Sequence, residues 1–333
     1  MLQPSYIRCG DVLMLALLAI QDIWRGAQSA LAPSGPHAAG IAQLSWVLFI
    51  GGALIFTLVM LLLAYALLAP RPWRGWLANR TAVIVGGILF PVVVLSVLLV
   101  YGLALMRVLG REPDSPLEIR VVGEQFWWRV QYERDGGSRG FETANEIRIP
   151  TARPVRFTLS TADDIHSFWV PSLASKIDMI PGQATKLVLE AERPGVYRGQ
   201  CAEFCGPAHA LMAFEVIAET PEAFDDWRKA QEQPADEPLT PFLQRGRDLF
   251  IQSGCGACHV VRGTPATGRL GPDLTHVGSR RTIAAGMFPN HQGTLAGWIA
   301  DSQHLKPGNK MPSFPVFTGE DLRAIAAYLE NLK

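Results

Sequence analysis

Gln200-Cys201-Ala202-Glu203-Phe204-Cys205-Gly206-Pro207-Ala208-His209-Ala210-Leu211-Met212 brings two thiols, an imidazole and a thioether into one short loop, and His166 offers a further imidazole upstream. Soft sulfur ligands with imidazole select copper or zinc. On spacing alone a Cys2His2 zinc site stays open. Met212 tips the choice toward copper, because a thioether adds little for zinc, and a mononuclear blue site would use a single cysteine where this loop has two. Four of the chain's five cysteines fall in two tight pairs, Cys201 with Cys205 and Cys255 with Cys258, leaving Cys9 near the start. That is ligand spacing rather than a disulfide framework. Two short-range disulfides, the alternative, would constrain the unfolded chain little.

Downstream, Cys255-Gly256-Ala257-Cys258-His259 is the attachment pattern of a c-type haem, in which both thiols add to the haem vinyl groups and the histidine becomes the proximal iron ligand. A thioredoxin-like dithiol or half of a zinc site is the alternative, but no βαβ pattern surrounds it and no further cysteine pair follows. Met311, in Asn309-Lys310-Met311-Pro312-Ser313, is expected as the second axial ligand, with Met287 and His304 as rivals. His276, His291 and His304 read as surface histidines. Around this pattern the local signals are helical. Residues 243–251 lead into the cysteines, and Thr318 can cap a final helix, with Asp321 three residues on, running to Leu332.

Upstream, between 117 and about 219, short alternating stretches at 118–122, 146–149, 155–159, 186–189 and 213–217 are broken by Gly136-Gly137, Pro181-Gly182 and Pro194-Gly195. This pattern predicts a β-sandwich or small barrel. Residues 229–241 are rich in Gln, Glu, Asp and Pro and read as a solvated linker between a domain at 113–228 and another at 242–333.

Residues 41–69 and 81–106 carry no charge, and each run exceeds the roughly 20 apolar residues that cross a bilayer as helix. They predict a two-helix transmembrane hairpin within 30–112. A buried hairpin in a soluble core is the alternative. Pro91 lies inside the second run, where a neighbouring helix or water can satisfy the freed carbonyl. Between the runs stand Arg71, Arg74 and Arg80 with no acid, which places that loop in the cytoplasm and the whole chain beyond Met106 outside. Arg107 and Arg111 beside Glu112 and Asp114 give a weaker, mixed signal. Residues 1–29 carry Arg8, an apolar run at 12–20 and small residues near Ala27 and Ser29, the layout of a secretory signal, with an uncleaved anchor as the alternative. Thirty basic and thirty acidic residues are spread evenly, with no basic stripe for phosphates, which excludes nucleic acid as a partner.

The region from 117 to 227 resembles the CuA domain of cytochrome c oxidase subunit II. The likeness is carried by Asp164-Ile165-His166-Ser167-Phe168, Val170-Pro171-Ser172-Leu173, Lys176-Ile177-Asp178-Met179-Ile180-Pro181-Gly182 and Pro194-Gly195-Val196-Tyr197, leading into the cysteine loop. The segment from Phe242 to Lys333, with Gly271-Pro272-Asp273-Leu274, resembles class I cytochromes c, and the membrane hairpin also resembles the oxidase family. The resemblance implies a multidomain membrane protein: two transmembrane helices, a cupredoxin-like β-sandwich and an all-α cytochrome c domain, as in bacterial caa-type oxidases. It implies two coppers bridged by Cys201 and Cys205, capped by His166 and His209, with Met212 as a weak axial ligand and the carbonyl of Glu203 completing the set. The Glu203 carboxylate would reach magnesium or manganese at the boundary with the catalytic subunit, and Pro272 would orient His259 through its carbonyl.

By the same resemblance the partners are a haem-copper subunit I, subunit III, a cytochrome c or quinol-cytochrome c reductase as donor, and lipid of the bacterial inner membrane, with both redox domains on the periplasmic side. A nitric oxide reductase copper subunit, or a copper-binding or redox-sensing module without a relay, are the alternatives. Two departures stand out. Many members have tryptophan after the glutamine of Gly123-Glu124-Gln125, where electrons enter; here Phe126 stands there, followed by Trp127 and Trp128, which strand packing would explain equally well. No acid lies between Thr81 and Met106, where many members carry a glutamate linked to a proton path.

Overall fold

The computed structural model describes residues 28–333 except 74, 78, 112, 114, 115 and 134–138. The expected signal segment up to Ala27, Cys9, Arg74, Glu112, Asp114 and Gly136-Gly137 lie outside the described residues. The chain divides into a helical unit, His37–Pro113, and a second unit comprising the residues before it and those from Asp114 on.

In the helical unit, α1 (Pro36–Leu68) and α2 (Arg80–Leu109) are long and apolar enough to cross a membrane. Both begin ahead of the expected spans: Pro36 suits a first helical position, and Asn79 caps α2 by accepting from the Thr81 amide. None of the most apolar window of either helix is buried. Leu54, Phe56, Leu61, Leu95 and Val97 all face outward, which excludes the soluble-core alternative. Pro91 lacks a donor, and the helix widens into a π turn over Val85–Leu89 immediately before it.

Among the described residues, ten strands form the β-sandwich: β1 (Leu117–Glu124), β2 (Trp127–Glu133), β3 (Arg139–Ala144), β4 (Glu146–Pro150), β5 (Val155–Thr161), β6 (His166–Trp169), β7 (Ile177–Met179), β8 (Thr185–Leu189), β9 (Gly195–Cys201) and β10 (Ala213–Glu219). One sheet runs β3-β2-β1-β5-β8 and the other β4-β10-β9-β6-β7. Alternation along β2 turns Trp128, Val130 and Tyr132 inward, where they join Phe157, Phe168 and Phe214 in the core. Burying each such side chain contributes about 1.5–3 kcal/mol. Gly199 has no side chain because the Phe214 ring lies across it.

The sandwich closes with α3 (Pro221–Glu232), capped by Thr220. The expected linker therefore begins inside a helix, and its remainder is not free in solvent. Arg262 donates to the carbonyls of Gln231 and Glu232, the Ala235 amide donates to Arg262, and the carbonyl of Gln233 meets His276. Polar composition conceals this because the contacts are made by backbone.

The haem-type domain consists of α4 (Pro241–Gln252), the short hairpin β11 (Thr282–Ile283) and β12 (Phe288–Pro289), α5 (Gln292–Leu305) and α6 (Gly319–Asn331). A Cβ at Gly246 of α4 would collide with the Ala324 carbonyl of α6, so glycine permits their close crossing. Thr318 caps α6 from the Asp321 amide, as the sequence predicts. His276 is buried rather than on the surface, with ring nitrogens 3.0 Å from the carbonyls of Lys333 and Gln233, and His291 caps α5. His304 is exposed.

Candidate metal and haem sites

Strands β6 and β9 are antiparallel, with Phe168 opposite Cys201, so the start of one lies beside the end of the other. That topology brings His166 to Cys201 across a large sequence gap. The loop after β9 is closed by the Cys201 amide donating to the Met212 carbonyl at 2.9 Å, and a short 3-10 turn at His209–Leu211 aims His209 back at Cys205. Gly206 has φ +127, a conformation suited to glycine, and packs beneath Phe126, while Gln125 Nε2 donates to the Cys205 carbonyl at 2.7 Å.

The donors form a continuous series. His166 Nδ1 is 3.8 Å from Cys201 Sγ, which is 3.8 Å from Cys205 Sγ. Cys205 Sγ lies 3.6 Å from His209 Nδ1 and 3.9 Å from Met212 Sδ. The Glu203 carbonyl is 3.2 Å from Cys201 Sγ. Two central thiols flanked by imidazoles, a thioether and a carbonyl fit paired soft metals better than one tetrahedral zinc. Asp163 Oδ1, 3.0 Å from His166 Nε2, fixes the ring so that Nδ1 faces the sulfurs. The two thiols shift in opposite directions: the hydrogen bond from Cys205, then His166, hold Cys201 low, while Cys201 and burial push Cys205 up. Gly123 leaves room for the His166 ring.

The Glu203 carboxylate is half-exposed, 3.5 Å from Lys176 Nζ, next to Phe204, whose ring is 74% exposed. Trp128 belongs to the core, and Trp127 lies beneath the Arg129 guanidinium at 4.7 Å.

In the second domain, Cys255 opens a 3-10 turn, Cys255–Ala257, that follows Gly254 at φ +79, and Cys258 closes it. The carbonyl of Pro272 accepts from His259 Nδ1 at 2.8 Å, leaving Nε2 for a metal, and burial lowers the imidazole pKa, keeping it neutral. The loop carrying Pro272 is laced onto the cysteine turn by Gly268 N to Gly256 O and Gly271 N to Cys258 O. Met311 is half-buried against the same core that includes Cys255. Its amide donates to Asn309 Oδ1, and its carbonyl accepts from Ser302 and Gln303. No sequence motif marks Arg280: its guanidinium donates to the Asp273 carbonyl, yet its buried Nε has no partner among the described residues.

The two domains meet along a dense seam. Arg281 Nε pairs with Glu215, and Arg281 and Thr282 amides donate to the buried Glu146 carboxylate. Arg129 reaches the Arg269 carbonyl, the Ala213 amide donates to Ala285, and Gly308 sits over Phe126 and Pro207. Lys310 Nζ is 3.0 Å from Asp163, the acid that holds His166. Burial would raise the Asp163 pKa, but the Gln125 amide, His166 and Lys310 bring it down to about 2.

Residues 133–219 match the family model described as cytochrome c oxidase subunit II, periplasmic domain, and residues 243–333 match cytochrome c. Cytochrome c oxidase subunit 2 of Alkalihalophilus pseudofirmus is 36% identical over 322 residues, covering 92% of this chain and 91% of the relative. The chain belongs to the cytochrome c oxidase subunit 2 family. Subunit 2 of Bacillus sp. PS3 is 32% identical over 252 residues, 72% of this chain and 69% of that one. Among solved structures, the periplasmic domain of subunit II of Bradyrhizobium japonicum cytochrome oxidase is 29% identical and covers 36% of this chain and 95% of its own, with a TM-score of 0.34. The fused cytochrome c domain gives this subunit II the caa-type arrangement. Membership makes it an oxidoreductase subunit with a role in electron transfer. It implies copper in the first domain, haem in the second and a haem-copper catalytic subunit I as partner.

Proposed function

We propose that the subunit takes electrons on a covalent haem c and passes them, within one chain, to a dinuclear CuA centre and on to subunit I, which reduces oxygen to water and pumps protons. The observation that carries this is the seam: Phe126 lies between Gly206 of the thiolate loop and Gly308 of the Met311 loop. In this reading Cys255 and Cys258 anchor the haem, His259 and Met311 hold its iron, and Pro272 keeps the His259 ring oriented. The unpartnered Nε of Arg280 suits an anionic haem carboxylate. Cys201, Cys205, His166, His209, Met212 and the Glu203 carbonyl would hold the copper. When bound there, the copper would supply one-electron uptake and release with little reorganisation, because the two buried thiols hold it rigidly.

The Glu203 carboxylate, at the exposed edge beside Phe204, is assigned to magnesium or manganese at the subunit I boundary. The outward apolar faces of α1 and α2 suit lipid of a bacterial inner membrane with both redox domains on the periplasmic side, subunit III alongside, and a cytochrome c or quinol-cytochrome c reductase as donor.

Purification with the partner subunits tests the reaction: oxygen consumption driven by reduced cytochrome c is expected, and nitric oxide turnover without oxygen use would contradict it. For the route, Phe126→Ala is expected to slow flash-induced haem-to-copper transfer by about tenfold or more, since small misplacements cost this much. An unchanged rate would remove Phe126 from the path.

A further inference from the structure

Lys306 is 2% exposed, although it carries an ammonium group. Its Nζ donates to two backbone carbonyls, Leu211 and Ala284, both at 2.9 Å, and no carboxylate pairs with it among the described residues. Burial pulls its pKa down to about 7, with the nearby Cys205 acting in the opposite sense. A buried ammonium without an acid partner costs stability unless backbone acceptors satisfy it, and here two carbonyls do.

Those contacts join the two redox sites. Leu211 precedes Met212 in the copper loop. On the other side, the carbonyl of Lys306 accepts from Asn309 Nδ2 at 2.7 Å, and Asn309 Oδ1 accepts from the Met311 amide at 2.8 Å. A run of hydrogen bonds therefore extends from the backbone beside one candidate metal ligand to the backbone of the other, through Lys306 and Asn309. The second carbonyl, Ala284, belongs to a turn in which Ala284 and Ala285 both adopt positive φ, and Ala285 accepts from the Ala213 amide of β10. Lys306 thus ties three backbones together: the copper loop, the 284–286 turn and the Met311 loop.

We propose that Lys306 is a positioning residue for electron transfer between the haem domain and the copper loop, fixing the distance and orientation of the two sites by its hydrogen bonds to Leu211 and Ala284. This rests on the haem-to-copper relay proposed above, and Lys306 touches neither metal.

The test uses the whole chain with copper and haem bound, following flash-induced haem-to-copper transfer in wild type, Lys306→Met, Lys306→Arg and Arg281→Ala. Lys306→Met, an aliphatic side chain of similar length, is expected to slow transfer about tenfold or more, with the optical spectrum of the haem and the paramagnetic resonance of the copper unchanged. Lys306→Arg keeps the donors and is expected to recover at least part of the loss. Arg281→Ala breaks an exposed ion pair in the same seam and should transfer at the wild-type rate. If Lys306→Met does not fold, Lys306→Leu, which also lacks a donor, carries the same expectation.

A Lys306→Met rate equal to wild type would overturn the proposal. So would an equal slowing in Arg281→Ala, which would mean that any loosening of the seam suffices, or a Lys306→Arg chain no faster than Lys306→Met. Absence of transfer in the wild-type chain would instead overturn the relay itself.

Discussion

Single side chains at the two sites are held by their surroundings rather than by their own chemistry. Gly123 and Gly271 are the clearest cases, because a Cβ at either would press into the ring of His166 or His259. Alanine at Gly271 is expected to cost about 1–3 kcal/mol through overpacking and to displace the His259 ring from the Pro272 carbonyl. Denaturant titration of the haem-loaded chain together with its visible spectrum checks both effects, and an unperturbed spectrum would show that the loop yields without moving the histidine. Glu146 offers a pH test. Burial raises its pKa, against the Thr282 and Arg281 amides and the charge of Arg280, with Glu215 adding to the rise. A carboxyl that binds its proton more tightly folded than unfolded contributes most stability below the ordinary carboxylate pKa, and that contribution is lost as pH rises through the raised value. Glu146→Gln keeps an acceptor for both amides and is expected to flatten this decline, giving a gain over wild type toward neutral pH and none in acid. Denaturation midpoints across that range measure it.

At the scale of elements, legibility depends on how local the signal is. The haem turn, the Thr318 cap and the five alternating stretches that form β1, β4, β5, β8 and β10 are each written in consecutive residues. The strands β2, β6 and β9 do not stand out in the sequence: β2 carries the aromatics Trp127 and Trp128, β6 has only four residues, and both β6 and β9 run into the metal site. Helices α3 and α5 are hidden because polar α3 resembles the linker and α5 mixes Gly, Thr and Asp into its apolar residues. His209 and Met212 are legible beside the two cysteines in one short loop, whereas the place of His166 beside them is set by the β6–β9 pairing. The contacts of Lys306 with Leu211, of Asp163 with Gln125 and Lys310, and of Glu146 with Arg281 and Thr282 span long sequence separations, and no motif announces them. Thr318→Ala is expected to cost about 1 kcal/mol by removing the cap of α6, and the same loss should appear in the denaturation midpoint of the cytochrome domain, which packs α6 against α4 and α5.

For the molecule as a whole, the docked cytochrome domain changes what the expected tether means. A free linker would hold a donor at high local concentration and let it bind and leave. Here the Arg281 and Thr282 backbone amides on Glu146, together with Lys306, Gly308 and Lys310, hold one arrangement, so transfer between the sites should be a first-order event without a docking step. Phe126 then lies inside a permanent contact rather than on a surface awaiting a partner, which fits the smaller ring where many members of the family carry tryptophan. The most direct test is flash photoreduction of the haem in the oxidised subunit, with the copper signal followed in time at several protein concentrations. Copper is expected to be reduced at one rate independent of concentration; a rate that scales with concentration, or copper that stays oxidised while the haem is reduced, would rule out transfer within a permanently docked chain.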